Sequence, residues 1–287
     1  MTARIGTEVE RRLAAGEPVV IVTVEQARGS TPRAAGTCMA VAKDSTAGTI
    51  GGGRLEWEAI GRARDMIETG ETSEVLDMAL GPSVGQCCGG HVVLRLDRAD
   101  ADALAALNAV ETQARRDAPQ VVVFGAGHVG QALVRALEPL PIRVSWSDTR
   151  PDQIPADAGD AVEIESADPL DLVHQASPGA AMVVLTHSHA LDYAITEAAL
   201  SRGDLAYVGL IGSRTKRRRF ERWFTARGGD ARALDRLACP IGDVGVIDKR
   251  PEVIAAFVAA EVMQALGRQQ ARLDQPVEND KREASAS

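Results

Sequence analysis

Two adjacent cysteines, Cys87 and Cys88, have the most distinctive chemistry in this sequence. They lie in GPSVGQCCGG (81–90), a loop in which four of ten residues are glycine. A thiolate in such a loop can ligate a soft metal, with Cys88 the candidate ligand, or accept and pass on sulfur. The alternative is that one or both are small buried hydrophobic residues. Cys38, in a predicted strand, and Cys239, before a proline, are expected to be structural.

The glycine-rich segment GTIGGG (48–53) precedes a predicted helix. Successive N–H groups of Gly51–Gly53 can form an anion-binding nest, to which Arg54 adds a fork of donors and on which Arg33 could converge. The alternative is an ordinary turn followed by a capped helix. Glu56 and Glu58 are two residues apart, so on a helix they point in different directions and are poor candidates for a paired carboxylate device.

A second glycine motif, GAGHVG (125–130), directly follows the apolar strand QVVVF and opens a helix. In a dinucleotide-binding turn the first glycine permits the tight turn, the second admits a phosphate, and the third lets helix and strand pack closely. Asp148 ends the next predicted strand, 23 residues after Gly125, where a ribose-binding carboxylate belongs. These residues predict a site for a phosphate-bearing ligand; the alternative is a turn that closes the βα unit and binds nothing.

The segment THSHALD (186–192) follows a buried strand, at the end where open α/β sheets place ligands. His187, His189 and Asp192 could hold a metal or act as acid–base groups, although a full metal site needs more ligands. Alternatively, Ser188 or Thr186 simply caps the next helix.

The basic run in GSRTKRRRF (212–220) also follows an apolar strand. Arg214 and Lys216 could reach a phosphate beside Gly212, whereas the three arginines at 217–219 point in three directions around a helix. A solvated basic face or a docking surface is an equally good interpretation.

The elements around these motifs predict an α/β protein, with an N-terminal α+β domain followed by a Rossmann-like parallel-sheet domain. Before residue 97, strands at 18–26, 37–44, 72–80 and 91–96 mix with helices at 5–15 and 54–70 without a βαβ rhythm. From residue 119, strands alternate with helices, which indicates a parallel sheet. The predicted parts are an α+β domain (1–97), a helical linker (98–118), a Rossmann-like domain (119–267, ending in a helix at 251–267) and a disordered tail (268–287).

Composition excludes several classes of function. The net charge is −8 and the pI about 5.3, the wrong sign for binding DNA, RNA or anionic membranes, and aromatic residues make up only 3%. We expect no nucleic acid and no membrane as partners. The first residues lack the apolar segment of a signal peptide, and the four cysteines form no CxxC pair. These features predict a cytoplasmic protein with reduced thiols.

Taken together, the motifs resemble the XdhC/CoxI family of xanthine dehydrogenase accessory proteins over about residues 10–265. The segments that carry the resemblance, in the order of the family, are GSTPR (29–33), GTIGGGRLEWEA (48–59), GQCCGG (85–90), FGAGHVG (124–130), THSHALD (186–192), GLIGSRTKRRRF (209–220) and CPIG (239–242). The stretch DVGVIDKRPE (243–252) matches the family less cleanly.

The resemblance implies a maturation factor that binds the molybdenum cofactor (molybdopterin), supports its sulfuration, and delivers it to apo xanthine dehydrogenase or a related molybdenum hydroxylase. A cysteine desulfurase is a further expected partner. Because candidate groups come from both domains, we also expect a homodimer, and a separate nucleotide could occupy the Rossmann turn. The competing functions are an NAD(P)-dependent oxidoreductase, with His187 or His189 as its proton donor, and a nucleotide-sensing regulator. The sequence identifies no catalytic residue. The candidate cofactor-binding residues are Gly51, Gly52, Gly53, Arg54, Cys87, Cys88, Gly125, Gly127, His128, Gly130, Asp148, His187 and His189.

Overall fold

A computed structural model of the chain describes residues 5–80, 89–159, 162–243, 245–246 and 248–273. The chain divides into two compact units, Met1–Ala114 and Arg115–Ser287. The division falls inside the segment 98–118 that we predicted as a helical linker. Among the described residues, no helix is both long and apolar enough to cross a membrane.

The first unit is built on a five-stranded antiparallel sheet with the strand order β3-β2-β1-β5-β4. Its central strand β1 is rich in β-branched residues, and alternate side chains fill a core on each side of the sheet: Val20 and Val22 on one, Val19 and Ile21 on the other. The elements are α1 (Ile5–Ala14), β1 (Val19–Arg28), β2 (Cys38–Ala42), β3 (Thr46–Gly48), α2 (Gly53–Thr69), β4 (Ser73–Ala79), β5 (His91–Arg98) and α3 (Ala101–Asp117).

Helix α2 covers one face of this sheet through residues spaced at helical intervals: Leu55, Ala59, Ala63 and Met66 are all buried. It ends where the sequence predicts, because Gly70 adopts the left-handed conformation and donates its N–H to the Met66 carbonyl. Helices α1 and α3 contribute residues to the core on the other face. The sheet and α2 together fix the position of the GTIGGG segment, which connects β3 to α2.

The second unit has a six-stranded parallel sheet in the order β11-β10-β9-β6-β7-β8, with apolar cores that include residues of both strand faces. From β6 the sheet grows in one direction through β7 and β8, and the chain then crosses to the other side of β6 for β9, β10 and β11. The gap between β6 and β9 is therefore the switch point of a Rossmann fold, which confirms the predicted Rossmann-like domain. The elements are β6 (Gln120–Phe124), α4 (His128–Leu137), β7 (Arg143–Ser147), β8 (Val162–Ile164), α5 (Pro169–Gln175), β9 (Ala181–Val184), α6 (His189–Ser201), β10 (Tyr207–Leu210), α7 (Arg214–Ala226), β11 (Leu237–Ala238) and α8 (Pro251–Leu273).

The differences from the predicted elements lie in short strands and at one helix end. β3, β8 and β11 are two or three residues long, too short to show a periodic pattern. The last helix begins at Pro251 as predicted but continues through Gly267 to Leu273, six residues into the segment that we predicted as a disordered tail. The segment Arg268–Leu273 contains good helix formers and no proline, so nothing in it ends the helix.

Candidate functional site

Three loops of the first unit converge: the GSTPR loop after β1, the GTIGGG segment before α2, and the Gly89–Gly90 pair before β5. An added Cβ at Gly51 would lie 2.5 Å from Cβ of Pro32, and one at Gly90 would overlap the Ser30 carbonyl oxygen. An added Cβ at Gly29 would lie 3.3 Å from Cα of Gly90. These glycines allow backbone segments from distant parts of the sequence to touch. We call residues 28–33, 49–54 and 89–91 the first-unit loop cluster.

The two candidate cysteines, Cys87 and Cys88, lie outside the described residues. Their loop connects β4 to β5, and its described ends are joined because the Leu80 N–H donates to the Gly90 carbonyl over 2.8 Å. The next residue, His91, places Nε2 2.5 Å from Oδ1 of Asp77 across the two strands. A histidine–carboxylate pair therefore stands at the point where the cysteine loop re-enters the sheet.

Of the N–H groups of Gly51–Gly53 predicted as an anion nest, that of Gly52 is instead occupied by the protein's own Glu56, together with that of the preceding Ile50. One carboxylate oxygen, Oε2, accepts from the Ile50 and Gly52 N–H groups, each at 3.0 Å, and from the Thr49 hydroxyl at 2.5 Å. The Gly51 N–H donates to the same hydroxyl. Burial acts to raise the pKa of Glu56, but these hydrogen bonds outweigh it and lower the pKa. An anion at this cluster must therefore use other donors.

Those other donors are a guanidinium and open backbone. Arg54 is predicted to add donors for an anion, but its Nε donates to Glu58 at 2.6 Å on the helix surface, so that donor is already engaged. Arg33 lies beside the glycine segment, with its Cγ 3.5 Å from the position of a Cβ at Gly51. Its exposed guanidinium has no ion pair or hydrogen bond to any residue within the described ranges. No described atom lies within 4 Å of the Cβ position at Gly52, and Gly53 begins α2.

In the second unit, the three glycines of GAGHVG separate into two kinds. A Cβ at Gly125, where φ is +120°, would overlap the Leu185 carbonyl oxygen, and one at Gly130 would overlap that of Gly125. At Gly127 a Cβ would meet no described atom within 4 Å. Helix α4 then begins at the exposed His128 without a side-chain cap. The first and third glycines thus serve close packing, whereas the second leaves the helix N-terminus open.

Asp148, predicted to bind a ribose, supports this turn. Its side chain is 2% exposed; Oδ2 accepts from the Ala126 N–H at 2.7 Å, and Oδ1 accepts from the backbone N–H and Nε of Arg150. Burial acts to raise the pKa of Asp148, but the bonds from Arg150 and Ala126 outweigh it and lower the pKa. A ribose hydroxyl would have to compete with these partners for the carboxylate.

The histidine motif also divides into exposed and buried parts. His187 and His189 are exposed at the carboxyl end of β9, and Ser188 caps α6 by accepting from the Leu191 N–H. Asp192 is buried: Oδ1 accepts from the N–H and hydroxyl of Thr186, so it is not a free acid–base group. Across the part of the chain that the structure describes, no three His, Cys, Asp or Glu residues come together as a metal site.

The basic run is likewise not one surface. Lys216 turns inward, where Nζ lies 2.5 Å from Oδ2 of Asp192 and 2.8 Å from the Ile211 carbonyl oxygen. Arg217 donates to the Leu237 and Cys239 carbonyl oxygens. The remaining arginines, 214, 218 and 219, are exposed. A docking surface made of the whole run is therefore ruled out.

Lys216 and Asp192 lie on the wall of an open cavity of about 560 Å³ at the carboxyl ends of β9 and β10. His187, His189 and Arg219 also line it. The neighbouring Cys239 is buried, and burial raises its pKa to about 11 although Lys216 and Arg217 act to lower it. Cys38, half-buried in β2, also has a raised pKa because of burial, with a smaller contribution from Glu111. Neither thiol is set up as a nucleophile.

Comparisons with known proteins match both units. A model described as the XdhC Rossmann domain matches residues 121–262, and one described as the XdhC and CoxI family matches residues 12–78. The chain is 25% identical over 271 residues to "Uncharacterized protein YqeB" of Escherichia coli K12. The match covers 86% of this chain and 43% of that protein. The chain therefore spans less than half of that relative's length. A crystal structure described as a xanthine dehydrogenase from Bacillus halodurans has the same fold, with a TM-score of 0.68, 19% identity, and coverage of 94% of this chain and 98% of that one.

Proposed function

Because the chain belongs to the XdhC and CoxI family, we propose that it is a maturation factor for a molybdenum hydroxylase of the xanthine dehydrogenase type. In this proposal it binds the molybdenum cofactor, supports its sulfuration, and delivers it to the apo enzyme. The observation that carries the proposal is the first-unit loop cluster. There, the segment predicted as phosphate-binding and the described end of the cysteine loop, Gly89–Gly90, both lie against the GSTPR loop.

The donors of the cluster fit the chemistry of the cargo. Molybdopterin carries a terminal phosphate, a flat polar pterin, and a dithiolene that holds molybdenum. The Arg33 guanidinium, which has no partner within the described ranges, can donate to the phosphate. No described atom lies within 4 Å of a Cβ position at Gly52 or Gly89, so a flat group can come close to the backbone there. Glu56 makes the nest itself unfavourable for an anion. Of the two cysteines, we assign Cys88 to the sulfur-rich end because it directly precedes Gly89.

The proposal includes partners. A carrier must release its cargo, so we expect docking to an apo xanthine dehydrogenase or similar hydroxylase, and to a cysteine desulfurase that supplies sulfur. We also propose a homodimer and a cytoplasmic location, the compartment in which thiols stay reduced. Sedimentation of the full chain, alone and mixed with the apo enzyme, tests the oligomeric state and the docking.

The experiment for cofactor binding uses the full chain and cofactor released from a molybdenum enzyme, under reducing, anaerobic conditions. We expect molybdenum to co-elute with the protein in gel filtration. Arg33→Gln should raise the Kd about tenfold, because a charge-assisted hydrogen bond is lost. Arg62→Gln is the matched control: Arg62 is exposed but pairs with Glu74, away from the cluster. Cys88→Ser should lower molybdenum retention further.

Two results would contradict the proposal. One is wild-type protein that retains no molybdenum. The other is an equal rise in the Kd for cofactor in Arg33→Gln and Arg62→Gln, in proteins whose thermal unfolding is unchanged. That result would show that the first-unit loop cluster is not part of the binding site.

The second candidate function is an NAD(P)-dependent oxidoreductase. It is favoured by the strand order of the second unit and by the open backbone at Gly127, where a dinucleotide phosphate would approach. Its hydride transfer would need His187 or His189 as proton donor. Oxidation of a reduced nicotinamide by the purified chain, abolished when both histidines are replaced by glutamine, would favour this function. A bound pterin in the purified protein favours the first.

A further inference from the structure

The cavity of the second unit collects donors from two helices that begin side by side. α6 starts at His189 after β9, and α7 starts at Arg214 after the neighbouring strand β10. Ser188 caps the first and Ser213 the second, each satisfying one backbone N–H. The remaining N–H groups of both first turns, and the positive ends of both helix dipoles, lie at the end of the sheet where the cavity opens.

A buried ion pair forms the wall between these two helices. The side chains of Asp192 and Lys216 are only 2% and 10% exposed. Oδ1 of Asp192 accepts from the N–H and hydroxyl of Thr186, and Oδ2 accepts from Lys216, so the charge of Asp192 is balanced and its oxygens are engaged. Lys216 Nζ donates to two acceptors, Asp192 and the Ile211 carbonyl, whereas an ammonium has three N–H donors. The structure shows no acceptor for the third among the residues it describes.

The charges on the cavity wall sum to a positive value. Asp192 and Lys216 cancel, and Arg219 adds one positive charge on the same helix as Lys216. His187 and His189 add ring nitrogens that donate or accept hydrogen bonds. An ammonium N–H, a guanidinium, hydroxyls and helix N–H groups are the donors that phosphate oxygens bind.

From these observations we infer that the cavity is a second ligand site, specific for the phosphate group of a small phosphomonoester. Lys216 and Arg219 contact the phosphate, and Asp192 is a positioning residue that holds the Lys216 ammonium at the cavity wall. The volume of about 560 Å³ accommodates a ligand larger than phosphate alone. The inference does not rest on the proposed function, because it concerns the second unit and needs no molybdenum.

Binding of inorganic phosphate to the full chain tests the site by phosphorus NMR line broadening. Arg219→Gln should weaken binding about tenfold, because one charge-assisted contact is lost. Arg218→Gln is the matched control, since Arg218 is an exposed neighbour on the same helix that does not line the cavity. Lys216→Met alone would leave Asp192 buried and unpaired, so the double variant Asp192→Asn/Lys216→Met is used; it should abolish binding.

The source of the phosphate is tested by competition. Adenosine monophosphate and the pterin released from a molybdenum enzyme are each added to the phosphate-bound protein. Displacement by one of them identifies the ligand as a nucleotide or a pterin, and either result supports the site. Failure of both to displace phosphate, absence of phosphate binding, or an equal loss in Arg218→Gln and Arg219→Gln would overturn the inference. Molybdenum retention by Arg219→Gln, measured in parallel, separates this result from a failure of the proposed function.

Discussion

Replacing Glu56 with glutamine tests whether its charge holds the glycine segment in place. Glutamine keeps an oxygen near the Ile50 and Gly52 N–H groups and the Thr49 hydroxyl but loses the negative charge. A hydrogen bond to a charged group contributes about 1.5–3 kcal/mol and a neutral one about 1 kcal/mol. Bonds that share one oxygen are not additive, and this carboxylate is partly solvated. We therefore expect a loss of about 1–2 kcal/mol in the free energy of unfolding, and about 2–3 kcal/mol for Glu56→Ala.

The assay is urea unfolding of the full chain by circular dichroism. Because the two units can unfold separately, hydrogen exchange in β1 reports the first unit. With a slope of about 2 kcal/mol per molar urea, the midpoint for Glu56→Gln should fall by about 0.5–1 M. Glu58→Gln is the control, since Glu58 pairs with Arg54 on the helix surface, an interaction worth about 0.3–0.5 kcal/mol.

The pH dependence gives an independent check. The pKa of Glu56 is lowered in the folded state, so its contribution is present above the unfolded pKa of about 4.3 and is lost as pH falls through the folded value. The stability difference between wild type and Glu56→Gln should therefore narrow as pH is lowered from about 7 to about 3. A difference that stays constant with pH, or one no larger than that of Glu58→Gln, would refute this account of the glycine segment.

Two further outcomes are expected. Gly130→Ala should lower stability by about 2–4 kcal/mol because its Cβ overlaps the backbone of the same turn, whereas Gly127→Ala should leave thermal unfolding nearly unchanged; equal effects would contradict the division between these glycines. Cys239, with a pKa of about 11, should react with iodoacetamide at about pH 8 at least a hundredfold more slowly in the native than in the urea-unfolded chain, and Cys38 should also be slowed. Equal rates at Cys239 in the two states, read by mass spectrometry, would show that its thiol is not buried.

Local patterns in the sequence determined the architecture. The β-branched run of β1, the helical spacing of Leu55, Ala59 and Met66, and the terminal Gly70 each predicted an element that the structure contains. The strand–glycine–helix pattern before α4 predicted the Rossmann unit. Such patterns can be read because the periods of helices and strands, and the conformations open to glycine, are properties of short stretches of chain. The ordered motifs likewise indicated the family.

Only the tertiary structure decided which polar groups are free and which are already engaged. The run of glycines predicts an anion-binding nest. In the structure, however, Gly51 and Gly52 both have positive φ, and the bend they form places the Gly52 N–H against the Glu56 carboxylate. Asp192 and Lys216 are 24 residues apart in sequence and meet because β9 and β10 are parallel neighbours whose ends lie at one edge of the sheet. The sequence predicts Asp192 and Lys216, each from its own segment, as candidate ligand contacts. The availability of each group depends on partners from other segments, because a buried polar group takes whichever partner the packing brings within hydrogen-bond distance.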